Sequence, residues 1–500
     1  MDLFVSPSFS SHVKNLITKH HTPGLAIALV QDDTIHSTAY GYASLDPPEP
    51  CTPDTLFDIA SASKSLTAAA VALLVEDHER FPEVRWEARM CDLLPEDFVM
   101  AGEGWTREVS VDDVLGHRTG MPSHDDSYMG VRAAKPDNAR SVTRNLRNLP
   151  VTKGVREKFM YCNQMYTVAT HLVEQKTGQT FPDFLEERFF RPLGMDSTNL
   201  QPERARSKGL GSRIALGHTW LKEKEEYIGF QAVESPEDQG AGSIMTSVND
   251  YIKYIRAIMN QSPPFTETVY KGLLRPRTIQ DPEGKDKMPF TSPVLYAAGW
   301  ETVYYRGQEV VSHDGSVTGW GSTHFFLPGL GFGGCVFGNG DDAFLVAGVL
   351  MREFVDARIG VAEGERPDWD GILSGQEEDG DGDEEKRLRQ EMCHGIEEEQ
   401  AQELPLENYV GEYHNAGYHS YVVQVKDGEL FIDATDRSFA CTMVFEHVCG
   451  QTNYLVRLRD FLDGGEDLVK AAFRLEDGRA VSMGLGLEDE MEELIWFESV

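Results

Sequence analysis

Ser61-Ala62-Ser63-Lys64, running on into Ser65-Leu66-Thr67-Ala68-Ala69-Ala70-Val71-Ala72-Leu73-Leu74-Val75-Glu76, is the stretch that decides how this chain is read. From Ser63 to Glu76 the sequence is rich in Ala and Leu and free of Gly and Pro, which predicts a buried helix. The S-x-x-K tetrapeptide stands where that helix opens. Residues three apart share a helix face, so the spacing predicts the Lys64 amine within reach of the Ser61 hydroxyl. A hydroxyl is a weak nucleophile at neutral pH and needs an adjacent base. A lysine serves when desolvation or a neighbouring charge lowers its pKa. The helix N-terminus favours developing negative charge. S-x-x-K alone is common, and its bland reading is a surface Ser and Lys.

Two further segments bear on the same chemistry. In Phe159-Met160-Tyr161-Cys162-Asn163-Gln164, just before a helical pattern, alternation directs Tyr161 and Asn163 one way and Cys162 the other. A tyrosine near a lysine can relay the serine's proton and protonate a leaving group. Asn163 offers an amide to a substrate carbonyl. In His313-Asp314-Gly315-Ser316 a strand is expected, and a strand beside the nucleophile can lend a backbone N–H to an oxyanion hole. Gly315 would let substrate approach closely. Read singly, these are a packed Tyr, a loop Asn and a structural His.

Taken in order, S-x-x-K, Y-x-N and H-x-G resemble the family of class C β-lactamases, serine DD-peptidases, D-aminopeptidases and related esterases. Pro23-Gly24-Leu25-Ala26, Phe57-Asp58-Ile59-Ala60-Ser61, Val114-Leu115-Gly116-His117-Arg118-Thr119-Gly120-Met121-Pro122, Pro192-Leu193-Gly194-Met195 and Gly240-Ala241-Gly242-Ser243 with Asp250 resemble the family's other landmarks, over roughly Pro23 to Val355. The resemblance implies Ser61 as nucleophile, Lys64 and Tyr161 as shared base and proton shuttle, and Asn163 as the substrate-amide contact. It implies backbone N–H groups of Ser61 and Ser316 as the oxyanion hole, and His313 as the residue that stands where class C β-lactamases have the lysine of K-T-G. That lysine is a fixed cation for the substrate carboxylate, so its replacement argues for peptide, amide or ester substrates over β-lactams. His117 and Arg118 are expected to hold structure. Cys162, turned away, is expected to be a packed thiol.

The rest of the chain frames this site. Leu25–Val30 and the run to Tyr42, separated by Gln31-Asp32-Asp33, predict a hairpin. Helical patterns follow at Val111–Leu115, Met165–Lys176 and Phe181–Phe190, then aromatic and β-branched runs from Tyr296 to Phe337, then a helix near Ala343–Val355. Strands at both ends with helices between predict one α/β unit with an antiparallel sheet flanked by helices, over residues 1–362. Residues 363–404 read as an acidic linker whose block Glu377–Glu385 should stay solvated. Its Asp-x-Asp-x-Asp start mimics a calcium loop but carries Glu384 and Gln390 where the loop wants Gly and Glu. From 405 to 500 short alternating strands with Asp-Gly turns predict a second, all-β, barrel-like domain. Tyr409-Val410-Gly411-Glu412-Tyr413 with Gly417-Tyr418 and Gly428-Glu429-Leu430 resembles the lipocalin-like domain fused to some family members.

Composition narrows the function. A chain of 500 residues with a formal net charge of -36 is repelled by nucleic-acid backbones and anionic membranes. Seven cysteines without C-x-x-C spacing predict free thiols, and the N-terminus has no secretory pattern, so a cytoplasmic protein is expected. Gly329-Leu330-Gly331-Phe332-Gly333-Gly334 fits G-x-G-x-x-G but precedes a strand, which fails the dinucleotide context. No metal or organic cofactor is implied. The expectation is a serine hydrolase acting through a Ser61 acyl-enzyme on an amide, peptide (D-amino-acid-containing peptides included) or ester bond of a small-molecule or short-peptide substrate. Two alternatives stay open: an acyltransferase or macrocyclising enzyme using the same intermediate, and a catalytically retired binding protein.

Overall fold

A computed structural model of the chain describes residues 4, 6–285, 287–377, 384–393 and 400–500. A nine-stranded antiparallel sheet organises the first 360 residues. Its strands are β1 (Gly24–Gln31), β2 (Thr34–Leu45), β3 (Pro48–Pro50), β4 (Thr278–Ile279), β5 (Leu295–Tyr296), β6 (Glu301–Tyr305), β7 (Gln308–Val317), β8 (Trp320–Leu327) and β9 (Phe332–Gly338). They lie in the order β3-β2-β1-β9-β8-β7-β6-β5-β4, so the N-terminal hairpin closes onto the late strands through the β1–β9 ladder, Leu25 opposite Gly338.

Period-two alternation buries both faces. Leu25, Ile27 and Leu29 of β1 pack with helices α1 (Pro7–Lys19) and α5 (Ala343–Ile359). Ala26, Ala28 and Val30 face the helical region that holds α2 (Lys64–Glu76), α3 (Asn163–Thr177) and α4 (Val248–Met259). Every residue of α2 from Lys64 to Val75 is buried, as expected of a helix apolar all round. Local chemistry sets the helix ends. Ser6 caps α1 by accepting from the Phe9 N–H, with Pro7 in the first turn, and Gly178 at φ 71° stops α3. The glycine run 329–334 turns β8 into β9. Helix α1 was not read from the sequence.

Eight antiparallel strands between Gly411 and Ser499 close into a barrel in sequential order. Three of them, Gly411–Asn415, Cys441–Cys449 and Arg479–Leu485, were not picked out by the alternation pattern.

The segment between the two units carries helices at Trp369–Glu377 and Glu384–Met392. It is not solvated throughout. Trp369 is buried against Tyr305, with ring centroids 5.7 Å apart, and its Nε1–H donates to Asp356 at 2.8 Å. Residues 378–383 of the acidic block, and with them the start of the calcium-like sequence, lie outside the described residues. The cysteine reading needs correction. Cys393 and Cys449, 56 residues apart, form a disulfide joining the second of those helices to a barrel strand. The fold brings together what the spacing kept apart, and the cysteines no longer speak for a reducing compartment. The other five are free.

Candidate active site

Ser61 sits on a tight turn. The short strand Phe57–Asp58 leads into a one-turn helix, Ala60–Ser63, that feeds α2. Ala60 enters it at φ 44°, a left-handed conformation costly for a residue with a Cβ. Asp58 supports it by accepting the Ala60 N–H at 2.8 Å, and burial pushes the Asp58 carboxyl up to about 6. The turn therefore presents Ser61 at the wall of a cavity of about 540 Å³.

Lys64 lies one turn on and is fully buried. Its Nζ donates to Ser61 Oγ at 2.9 Å and to Ala241 O at 3.0 Å. Burial lowers its pKa to about 8, against the opposing pull of Asp238 and Asp125. The Tyr161 ring centre lies 4.7 Å from Nζ, and Tyr161 lines the same cavity as Ser61. Burial holds the Tyr161 phenol well above its ordinary range, so Tyr161 keeps its proton while Lys64 readily sheds one. His117 stacks on Tyr161 with ring centroids 4.3 Å apart. Its Nδ1 accepts the Cys162 N–H at 3.0 Å, which places its own proton on Nε2, and burial keeps it neutral. Cys162 is buried, with Sγ toward Ser123 O and a thiol pushed up by burial.

Asn163 opens α3 at the cavity. Its Nδ2 donates to Asp125 Oδ2 at 3.0 Å, while its Oδ1 is buried without a partner among the described residues. Ser316, at the end of β7, lines the same cavity. The far wall comes from the barrel, through Arg437, Ser438, Phe439, Asp460 and Leu462.

A beta-lactamase family model matches residues 9–355, more than half the chain, and a domain of unknown function, DUF3471, matches residues 397–499. The chain belongs to the beta-lactamase family. Among relatives, an unguisins hydrolase of Aspergillus campestris is 31% identical over 98% of this chain and 91% of its own, and one of Aspergillus violaceofuscus is 30% identical over 98% and 90%. Among solved structures, a penicillin-binding protein homologue from Pyrococcus abyssi shares the fold with a TM-score of 0.59 at 18% identity, covering 98% of this chain and 99% of that one. Both Aspergillus relatives are named as hydrolases.

Two residues of the beta-lactamase-family pattern sit elsewhere than expected. His313 does not line the cavity. It is buried beneath it, with Nε2 accepting from the Tyr296 hydroxyl at 3.0 Å and Nδ1–H donating to Asp314 O at 2.7 Å. Burial and the Lys64 charge drop its pKa to about 3, so it is a neutral strut. Gly315 makes room for protein, not substrate. A Cβ there would fall 2.1 Å from Ile59 O and 3.0 Å from Ala62 N, so its bareness lets β7 close on the Ser61 turn. Arg118 pairs with buried Asp113 at 2.7 Å, a structural role.

Sequence reading also missed groups at the site. Asp125 and Asp238 flank Lys64 electrostatically, and each keeps one buried oxygen without a partner among the described residues. With 82 Asp and Glu residues in the chain, no pattern singled these out. Among the described residues no helix is long and apolar enough to cross a membrane.

Proposed function

We propose that the protein is a serine hydrolase that cleaves an amide, peptide or ester bond of a small-molecule or short-peptide substrate through an acyl-enzyme on Ser61. The observation that carries this is the hydrogen bond between Ser61 Oγ and a buried Lys64 whose pKa is lowered to about 8, with the Tyr161 ring 4.7 Å from the same amine. Neutral Lys64 takes the Ser61 proton as Oγ bonds to the substrate carbonyl carbon. The oxyanion is held by the N–H groups of Ser61 and Ser316. Collapse breaks the bond to the leaving group, which takes a proton from Tyr161, itself reprotonated from Lys64. Water then enters by the reverse relay and releases the acid. Asn163 holds the substrate amide.

The cavity supports a neutral or cationic, partly apolar substrate. Six carboxylates line it (Asp58, Asp125, Glu234, Glu237, Asp238 and Asp460) against the guanidiniums of Arg132 and Arg437. Neutral His313 supplies no fixed cation for a substrate carboxylate. Val131, Val233, Val317 and Phe439 leave exposed apolar surface at the cavity, suited to hydrophobic side chains. The full-length likeness to proteins named unguisins hydrolases supports hydrolysis over transfer of the acyl group.

The test is intact-mass spectrometry after exposure to a fluorophosphonate and a panel of D- and L-amino-acid esters, with Ser61→Ala alongside. A Ser61-dependent adduct is expected, and the esters that acylate define the acyl side. A folded protein that takes up no probe overturns the reading.

A further inference from the structure

Along β7 lies a second cavity, of about 420 Å³, within the size range of small-ligand sites. Val310, Ser312 and Asp314 of β7 line the second cavity, while Gly315 closes on the Ser61 turn and Ser316 and Val317, at the end of the strand, line the Ser61 cavity. The walls of the second cavity hold five charged groups, the carboxylates of Asp281, Glu301 and Asp314 and the cations of Lys287 and Arg352, and three aromatic ones, Phe159, Tyr305 and Trp369.

Glu301 and Arg352 are half-buried, and Asp314 is exposed to the cavity. Among the described residues none of the three forms an ion pair with another. Arg352 Nη1 donates to Gly348 O at 3.0 Å, within its own helix, and among the described residues no carboxylate reaches ion-pair distance of its guanidinium. Glu301 accepts from the neutral amide of Gln280 at 2.6 Å, and Asp314 from the Thr323 hydroxyl. Burial consequently pushes Glu301 up to about 7, raises Asp314 and lowers Arg352. A purely structural cluster would close into an ion pair. Here charges of both signs stand apart around open space.

We propose that this cavity binds an amino-acid zwitterion with an apolar side chain: its carboxylate on Arg352, its ammonium on Glu301 and Asp314, its side chain against Tyr305, Trp369 and Phe159. A guanidinium takes a carboxylate through paired N–H donors, and an ammonium offers three donors to carboxylates. A simple acid would bring its anion beside three carboxylates, and a simple amine would bring its cation beside Arg352 and Lys287. A ligand carrying both charges meets Arg352, Glu301 and Asp314 together. The site stands on its own side chains and does not depend on the chemistry assigned to Ser61.

The test is calorimetric titration of the full-length Ser61→Ala protein with D- and L-phenylalanine, phenylalaninamide and N-acetylphenylalanine. At least one phenylalanine enantiomer should bind once per chain. The amide and the acetylated form, each lacking one charge, should bind roughly tenfold or more weakly. Arg352→Gln should cause a similar loss, and Ser312→Trp, which fills the cavity, should abolish binding, while Asp238→Asn in the Ser61 cavity should leave it unchanged. The proposal is overturned if neither enantiomer binds, if the charge-deleted analogues bind as well, or if Asp238→Asn removes binding that folded Ser312→Trp retains. Should a variant fail to fold, the analogue series on the parent still decides.

Discussion

At the residue scale the decisive quantity is the protonation of Lys64. Its ammonium is fully buried, so its pKa falls to about 8 from an ordinary value of 10.5. Only the neutral amine can take the Ser61 proton. The acylation rate should therefore climb about tenfold per pH unit below about 8 and level off above it. The alkaline limb stays flat because Tyr161 keeps its proton well beyond that range. Stopped-flow acylation by an activated ester, run from pH 6 to 10, measures the profile. A bell centred near neutrality would deny Lys64 the role. Lys64→Met should slow the same step by about 10²–10⁴-fold, the usual contribution of a positioned base. This much was legible in the sequence, because S-x-x-K writes a spatial relation into a local spacing. The lowered pKa was legible only as a requirement; the burial that produces it comes from Ala241, Tyr161 and Tyr166 closing over the amine.

At the element scale β7 shows where local pattern stops being informative. The sequence predicts a strand there, and the strand forms. Alternation cannot say which face meets the nucleophile, and His313 proves to face the strut Tyr296 rather than the cavity. Gly315 is explained by the neighbours it touches, Ile59 and Ala62 on either side of Ser61 and far upstream in the chain, which no local pattern encodes. Gly315→Ala places a methyl 2.1 Å from Ile59 O and 2.6 Å from Ser322 Oγ. Neither the Ile59 backbone nor β7 can yield without moving the Ser61 turn. The variant should lose about 1–3 kcal/mol of stability, read as a lower urea midpoint at unchanged slope. It should also acylate more slowly even where it is folded. A variant as stable and as fast as the parent would sink this account of the glycine.

At the scale of the whole molecule, the barrel completes the site. Its existence was legible from alternating strands and Asp-Gly turns, but its docking was not, because the contacts join residues hundreds of positions apart. The segment Ser123–Gly130 of the catalytic unit meets the barrel loop around Arg437: Gly130 N–H donates to Asp436 O at 2.9 Å and Ser438 N–H to Tyr128 O at 3.2 Å. Beside it lies a buried polar clasp. His124 Nδ1 is 2.6 Å from the Tyr418 hydroxyl, which donates to Glu488 Oε1 at 3.0 Å, and Ser123 donates to Glu488 Oε2 at 3.2 Å. The next residue, Asp125, holds Asn163. The clasp thus connects the barrel to Asn163, the residue proposed to hold the substrate amide, and leaves the Ser61–Lys64 pair alone. Tyr418→Phe removes the hydroxyl that bridges His124 Nδ1 and Glu488 Oε1, which stand 3.4 Å apart and keep each other as partners, at a cost of about 0.5–1.5 kcal/mol. Its thermal midpoint should fall, and KM for a peptide or amide substrate should rise several-fold with kcat little changed. Glu488→Ala should move both quantities the same way. A fall in kcat at constant KM would mean that the barrel acts on the nucleophile directly, and unchanged kinetics in a destabilised protein would reduce the clasp to glue between the two units.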